Sequence, residues 1–211
     1  MLKKLLRSLF AGLTLTAAVA AAPVHAQEAD AQATVKTAVD DVLTTIKSDP
    51  ELRGGNMSKV YQLVDQKIVP RADFKRTTQI AMGRFWNQAS PEQQQQIQDG
   101  FKTLLIRTYA GALSNVKNQT VSYKPFRAAA DDTDVVVRST VNNNGEPVAL
   151  DYRLEKTAGG WKVYDINISG LWLSETYKNQ FADVISKRGG VAGLVSFLNE
   201  RNSQLEKGPA K

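Results

Sequence analysis

The sequence contains no cysteine and a single histidine, His25, close to its start. The first absence removes disulfide frameworks, thiol nucleophiles and zinc–thiolate sites. The second leaves no imidazole after residue 25, which excludes Ser-His-Asp and Cys-His catalysis and histidine metal sites there. There is no glycine-rich phosphate loop, no paired His/Cys spacing and no EF-hand pattern. Enzyme chemistry is thereby narrowed to Asp, Glu, Lys or Tyr. Long apolar runs are scarce too. One spans Leu9 to Ala22, follows Lys3, Lys4 and Arg7, and precedes Val24-His25-Ala26. A charged start, an apolar stretch and a small-x-small site together predict a secretory leader, Met1–Ala26, cut after Ala26. The run is short for a retained membrane anchor.

Removing 26 of 211 residues leaves 185, enough for one domain with a real core. The leader holds three basic and no acidic residues. The remainder therefore carries 24 basic and 21 acidic side chains, a net of +3 against +6 for the whole chain. That mild surplus suits weak attraction to anionic surfaces and argues against a nucleic-acid binder.

Apolar periodicity divides the rest. Val35, Val39, Val42, Leu43 and Ile46 predict a helix over Gln27–Lys47, ended by Asp49-Pro50. Val60, Leu63, Val64 and Ile68 predict a second that stops before Pro70. Asp73 is the expected N-cap of a third helix carrying Phe74, Ile80, Ala81, Phe85 and Trp86. Ser90-Pro91-Glu92-Gln93 opens a fourth, with Ser90 as N-cap, Pro91 at N1 and Gln93 closing a capping box. Its expected buried stripe is Phe101, Leu104, Leu105, Thr108, Tyr109 and Ala112. The period then becomes two. Strands are predicted over Thr120–Arg127, Asp134–Asn142, Val148–Lys156 and Trp161–Ser169, an antiparallel meander. Helix returns with Leu173, Tyr177, Phe181, Val184 and Ile185. Gly189-Gly190 breaks it, and Val191–Leu205 is the last helix. The expected organisation is one domain over residues 27–203 and a polar tail over 204–211. This order predicts α+β: a curved four-stranded antiparallel sheet with helices packed on one face. In the third strand Val148, Leu150, Tyr152 and Leu154 share a dry face opposite Ala149, Asp151, Arg153 and Glu155.

The chemistry-bearing candidates are few. Asp131, Asp132 and Asp134 lack the glycine turn and bidentate Glu of a calcium loop and read as a solvated turn. Asn118-Gln119-Thr120 matches a glycosylation sequon, a pattern common by chance. Asp165 is a general-base candidate if it projects into an apolar cone. Strict period two instead puts it with Trp161 and Val163, opposite Tyr164, Ile166 and Ile168. It is then an outward structural residue, and Trp161 and Val163 need cover from the C-terminal helices. No catalytic or metal residue is assigned. Apolar inventory alone leaves both a filled core and a ligand cavity open.

Two blocks carry a resemblance. One runs through Pro70, Asp73, Phe74, Gly83, Trp86, Ala89-Ser90-Pro91-Glu92-Gln93, Phe101, Leu105, Tyr109, Ala110 and Leu113. The other is Trp161-Lys162-Val163-Tyr164-Asp165 with Gly170. In this order, behind a leader, they resemble the MlaC (toluene-tolerance) family. The resemblance implies an enlarged nuclear-transport-factor-2-like cone with an apolar cavity. It implies a periplasmic phospholipid carrier, not an enzyme, with lipid as cargo and no cofactor. The partners it implies are an inner-membrane ABC transporter bearing an MCE-domain ring and an outer-membrane lipoprotein–porin complex, an exchange that maintains outer-membrane lipid asymmetry. A monomer is expected. Pocket positions carried over from the family are Val148, Leu150, Tyr152, Leu154 and Leu171. Periodicity adds Ile166, Phe101, Leu105 and Tyr109. Arg71, Lys75, Arg76 and Arg84 are candidate head-group or partner contacts. Trp172 departs from the small residue of many relatives. The alternatives are a hopanoid or isoprenoid carrier, a cone-fold enzyme using Asp165, and an adaptor with no pocket.

Overall fold

The structure is a computed structural model, and it describes residues 24–129, 131–143 and 145–207. All but the last three residues of the expected leader lie outside that range. Helix α1 (Val24–Ser48) runs into a one-turn α2 (Pro50–Arg53) capped by Asp49, whose carboxylate accepts from the Glu51 and Leu52 amides. Pro50 at N1 thus starts a turn of helix as well as ending the run before it. Helix α3 (Met57–Leu63) is capped by Asn56. It relaxes into a π turn (Val64–Ile68) and a 3₁₀ turn (Val69–Arg71) around Pro70.

Asp73 caps α4 (Phe74–Met82) by accepting from the Arg76 amide at 2.8 Å. The expected third helix is shorter than its apolar pattern. Gly83 takes φ 53°, ψ −130°, a conformation open essentially to glycine, and Trp86 is delivered by a 3₁₀ segment, Gly83–Gln88. The full capping box forms at Ser90 and Gln93, and α5 runs Pro91–Ser114. Its buried residues are Ile97, Gly100, Phe101, Leu104, Ile106 and Ala110, whereas Thr108 and Ala112 are exposed. The helix is clamped on two sides, so one stripe does not describe it.

The sheet has five antiparallel strands in sequential order: β1 (Thr120–Tyr123), β2 (Asp134–Asn143), β3 (Glu146–Thr157), β4 (Gly160–Ile168) and β5 (Leu171–Trp172). The added strand, beyond the four expected, is made by a two-residue turn. Ser169 and Gly170 have φ 51° and 95°, the paired positive values that match hairpin twist, and Asn167 Oδ1 accepts from the Gly170 amide at 2.8 Å. Helices α6 (Leu173–Lys187) and α7 (Val191–Lys207) follow. Helix α7 extends into the expected tail, where Leu205 packs on the core and Glu206 pairs with Arg107.

The decisive irregularity is in β4. Arg153 pairs with Asp165 but Leu154 pairs with Val163, so Tyr164 is an extra residue. A bulge of this kind flips the alternation beyond it. Trp161 and Val163 therefore share a face with Ile166 and Ile168, and the expectation that the C-terminal helices cover them is wrong.

Three apolar clusters result. One joins α4–α7 around Phe101, Phe181, Leu194 and Leu198. A second lies between α1–α3 and α5, with Ile46, Val60, Leu63, Ile106 and Ala110. The third lies between α1 (Ala31, Val35, Val39) and the sheet. Helices are not confined to one face, since α4 and α6 flank β4 on its outer edge. The Asp73 amide donates to Val163 O at 2.8 Å and Thr77 Oγ1 to Tyr164 O at 2.6 Å. Two glycines give opposite expectations. Gly83→Ala should lower stability by about 1–3 kcal/mol because of its backbone conformation. Gly111→Ala, where nothing lies within 4 Å of the new methyl, should raise it by about 0.5–1 kcal/mol. Urea unfolding of the two variants checks both signs.

Candidate functional site

Alternation places Val121, Tyr123, Val135, Val137, Ser139, Val141, Val148, Leu150, Tyr152, Leu154, Trp161, Val163, Ile166 and Ile168 on the sheet face toward α1. Val137 and Leu154 are fully buried there, and Val35 of α1 covers them. Polar ties between α1 and its surroundings run along its length. Gln32 donates to Lys124 O at 3.2 Å, Lys47 Nζ reaches Gln119 O at 3.4 Å, and Asp41 pairs with Arg71 at 2.6 Å. The contact between α1 and the sheet is mainly apolar. Its centre, at Val35, Val137 and Leu154, is fully buried, while Val148, Leu150 and Ile166 around it are half-buried. Two small recesses elsewhere, of about 290 and 260 Å³, are rimmed by charged side chains such as Arg127, Asp134, Arg188 and Glu200. They fall below ordinary ligand pockets of ~300–1,000 Å³.

The structure brings together five of the nine apolar candidates. Val148, Leu150, Tyr152, Leu154 and Ile166 share the α1-facing surface, with Val148 at its open end. Leu171 pairs with Ile168 and so shares the face, but it is 68% exposed at the rim and lines no enclosed space. Phe101, Leu105 and Tyr109 do not join them. Phe101 is locked among Phe74, Tyr177 and Phe181 with ring centroids 4.8–5.5 Å apart. Leu105 packs on that same helical cluster, and Tyr109 lies within electrostatic reach of Tyr177. Helical periodicity identified a buried face without saying which neighbour buries it.

The four basic candidates do not form one free patch. Arg71 is committed to Asp41 and to Lys67 O at 2.8 Å. Arg76 pairs with Glu155 and with Asp134 at 2.7 Å, and stacks over the Tyr164 ring at 3.8 Å. Lys75 is exposed, and Arg84 is exposed with its guanidinium 4.9 Å from the Phe85 ring centre. Arg71 and Arg76 are thus fasteners of α4 and the preceding turn. Burial pulls the Arg76 pKa down, and the bonds to Glu155 and Asp134 more than restore it.

Asp165 projects to the face opposite α1, as period two suggests, but it is not outward in solvent. It is 2% exposed. Its carboxylate accepts from Ser174 Oγ at 2.5 Å, from the Ser174 and Ile166 amides at 3.0 Å each, and from Arg153 at 3.3 Å. Trp172 is the N-cap position of α6 and supplies no side-chain cap. Asp165 does that work from β4, where its charge also complements the helix dipole. Arg153 in turn lies 4.0 Å over the Trp172 ring. The sequence hid this because a cap supplied from another element leaves no local pattern. Asp165→Ala would strand Arg153 and the Ser174 amide, and should cost about 3–5 kcal/mol in chemical denaturation.

Burial and the Asp40 charge push the Tyr123 phenol up to about 12. Burial, then the hydrogen bond to Asp134, pushes Tyr164 to about 12 as well. Folded-state pKa values above the unfolded value mean that the unfolded chain loses these protons first. Their contribution to stability should be complete below about pH 10 and vanish as pH rises through about 12. Phenolate absorbance titration, compared with Tyr123→Phe and Tyr164→Phe, checks the late ionisation.

Among the described residues no cluster of His, Asp and Glu is arranged to hold a metal ion, and no helix is long and apolar enough to cross a membrane.

Comparison with known proteins adds independent findings. A toluene tolerance protein, ttg2D, of Pseudomonas putida is 28% identical over 156 residues, 74% of this chain and 73% of its own. An intermembrane phospholipid transport system binding protein, MlaC, of Haemophilus influenzae is 26% identical over 161 residues, 71% and 74% of the two chains. A solved structure of a phospholipid-binding protein from Ralstonia solanacearum, in complex with a phospholipid, superposes with a TM-score of 0.83 at 88% identity. It covers 84% of this chain and 99% of its own. The family model described as MlaC protein matches residues 36–200, and the chain belongs to that family.

Proposed function

We propose that the protein is a phospholipid carrier that receives acyl chains between the sheet and α1, with the head group outside. The observation that supports this most is the continuous apolar face of β2–β4, covered by one helix in mainly apolar contact with it. The R. solanacearum structure holding a phospholipid in a chain 88% identical points the same way. Because Val35, Val137 and Leu154 are packed together at the centre of this face, loading involves displacement of α1 or of the side chains beneath it. In this proposal the curved sheet with its helices forms the enlarged nuclear-transport-factor-2-like cone.

The energetics favour a carrier with no catalytic group. About 0.8 kcal/mol per methylene over roughly 30 methylenes is a gross cost of about 24 kcal/mol in water. That exceeds the practical ceiling of noncovalent affinity, about 18–21 kcal/mol, so binding recovers only part of it. Spontaneous release is then slow, and delivery takes place on docking. In this reading the protein works in the periplasm after leader removal, as a monomer. It exchanges lipid between an outer-membrane lipoprotein–porin complex and an inner-membrane ABC transporter with an MCE-domain ring, and so maintains outer-membrane asymmetry. A hopanoid or isoprenoid cargo is the second reading within the same site. The commitment of Asp165 to Ser174 and Arg153, on the far face, weighs against its use as a general base.

Organic extraction of natively purified protein should yield diacyl phospholipid. Leu150→Glu, half-buried on this face, should lose most of the bound lipid while far-UV circular dichroism stays unchanged. Protein that is empty when purified and takes up no lipid from vesicles would defeat the proposal, and an extracted polycyclic isoprenoid would replace it with the second reading.

A further inference from the structure

The α1-facing surface is not uniformly apolar. Tyr123 Oη and Tyr152 Oη are both buried there, and neither makes a hydrogen bond among the described residues. Tyr152 as a whole is 6% exposed and fixed in the middle of β3, paired with Val137 and Ile166. Tyr123 pairs with Ser139 on β2, diagonal to Tyr152, and its phenol is close enough to raise the cost of ionising Tyr152. The remaining hydroxyl in this row, Ser139 Oγ, donates to Leu150 O at 2.5 Å. Two phenolic hydroxyls therefore face a compartment of Val, Leu and Ile, with Ser139 beside Tyr152 and the Asp40 carboxylate within electrostatic reach of Tyr123, yet neither completes a hydrogen bond of ordinary geometry. Leaving a buried donor unpaired is costly, and native proteins rarely do so without a reason. Phenylalanine would fill the same space without that cost.

Acyl chains attached by esters bring strong acceptors, the ester carbonyl oxygens, into an otherwise apolar space. Lipids whose chains are joined by ethers, and polycyclic isoprenoids, do not. We propose that Tyr123 and Tyr152 are the donors that read the ester carbonyls of the cargo, so that the compartment selects ester-linked diacyl lipids over ether-linked or isoprenoid ones. The inference rests on the carrier reading and adds a specificity rule to it. A site built around donors rejects a ligand lacking the acceptor more strongly than an apolar site rejects an extra group, because the donors are left unpaired.

The test is a competition. Lipid-free full-length mature protein is incubated with vesicles containing equal amounts of a phosphatidylglycerol with two ester-linked chains and its ether-linked counterpart of equal chain length. The protein is re-isolated, and both the amount and the ratio of bound lipid are read by mass spectrometry. Wild type should favour the ester lipid about tenfold. Tyr152→Phe and Tyr123→Phe should each bring the ratio towards one with total lipid retained. The melting temperatures of the lipid-free variants should equal or exceed that of wild type. A wild-type ratio near one, or an unchanged ratio in both variants, overturns the proposal and leaves the phenols served by buried water. A marked fall in melting temperature also overturns it, because the hydroxyls then have a structural partner. Uptake of neither lipid defeats the carrier reading itself, and this inference with it.

Discussion

Tyr164, the extra residue in β4, sets the alternation on which both sheet faces depend. Without it, Trp161 and Val163 would point away from α1 and the apolar face would end at Ile166. With it, that face continues down the whole strand. The strand can therefore carry Trp161, Val163, Tyr164, Ile166 and Ile168 without exposing a greasy side. The bulged residue itself swings to the polar edge, where its hydroxyl donates to Asp134 at 2.8 Å and its ring supports Arg76. One insertion thus extends a hydrophobic wall and builds the platform for the Arg76 ion pairs.

The fastenings around β4 follow a common plan. Arg76 ties α4 to β2 and β3, and Asp73 and Thr77 bind its outer edge through the Val163 and Tyr164 carbonyls. Asp165 holds the start of α6. Polar contacts concentrate where helices must stay, at the edge and back of the sheet. The front, under α1, is held mainly by apolar contact. Contact of that kind is non-directional, so a helix seated by it can shift without breaking a set of matched bonds.

Much of this was legible in the sequence where the signal is local. The Asp73 and Ser90 caps, the capping box, the strand period of β3 and the hairpins are set by residues within a few positions of one another, and they form as read. What failed was non-local. A bulge is invisible to period two, because one added residue leaves the composition of the strand unchanged. The partner of a buried helix face is not encoded in its spacing, so periodicity alone does not tell that Phe101 and Leu105 pack among the α4–α7 helices rather than beneath α1. Arg71 and Arg76 looked like solvent-facing cations because Asp41 lies 30 residues and Glu155 79 residues away in sequence. The strand β5 leaves no signal in the sequence because Ser169 takes a positive φ, which its residue type does not announce.

The separation of the α4–α7 cluster from the sheet cluster has a further consequence. Phe101, Tyr177 and Phe181 interlock edge to face without drawing on any residue beneath α1. The ring packing that holds the helical half together is thus separate from what lies against the α1-facing side of the sheet. A chain with this division can change what packs against the sheet without unseating the Phe101, Tyr177 and Phe181 rings.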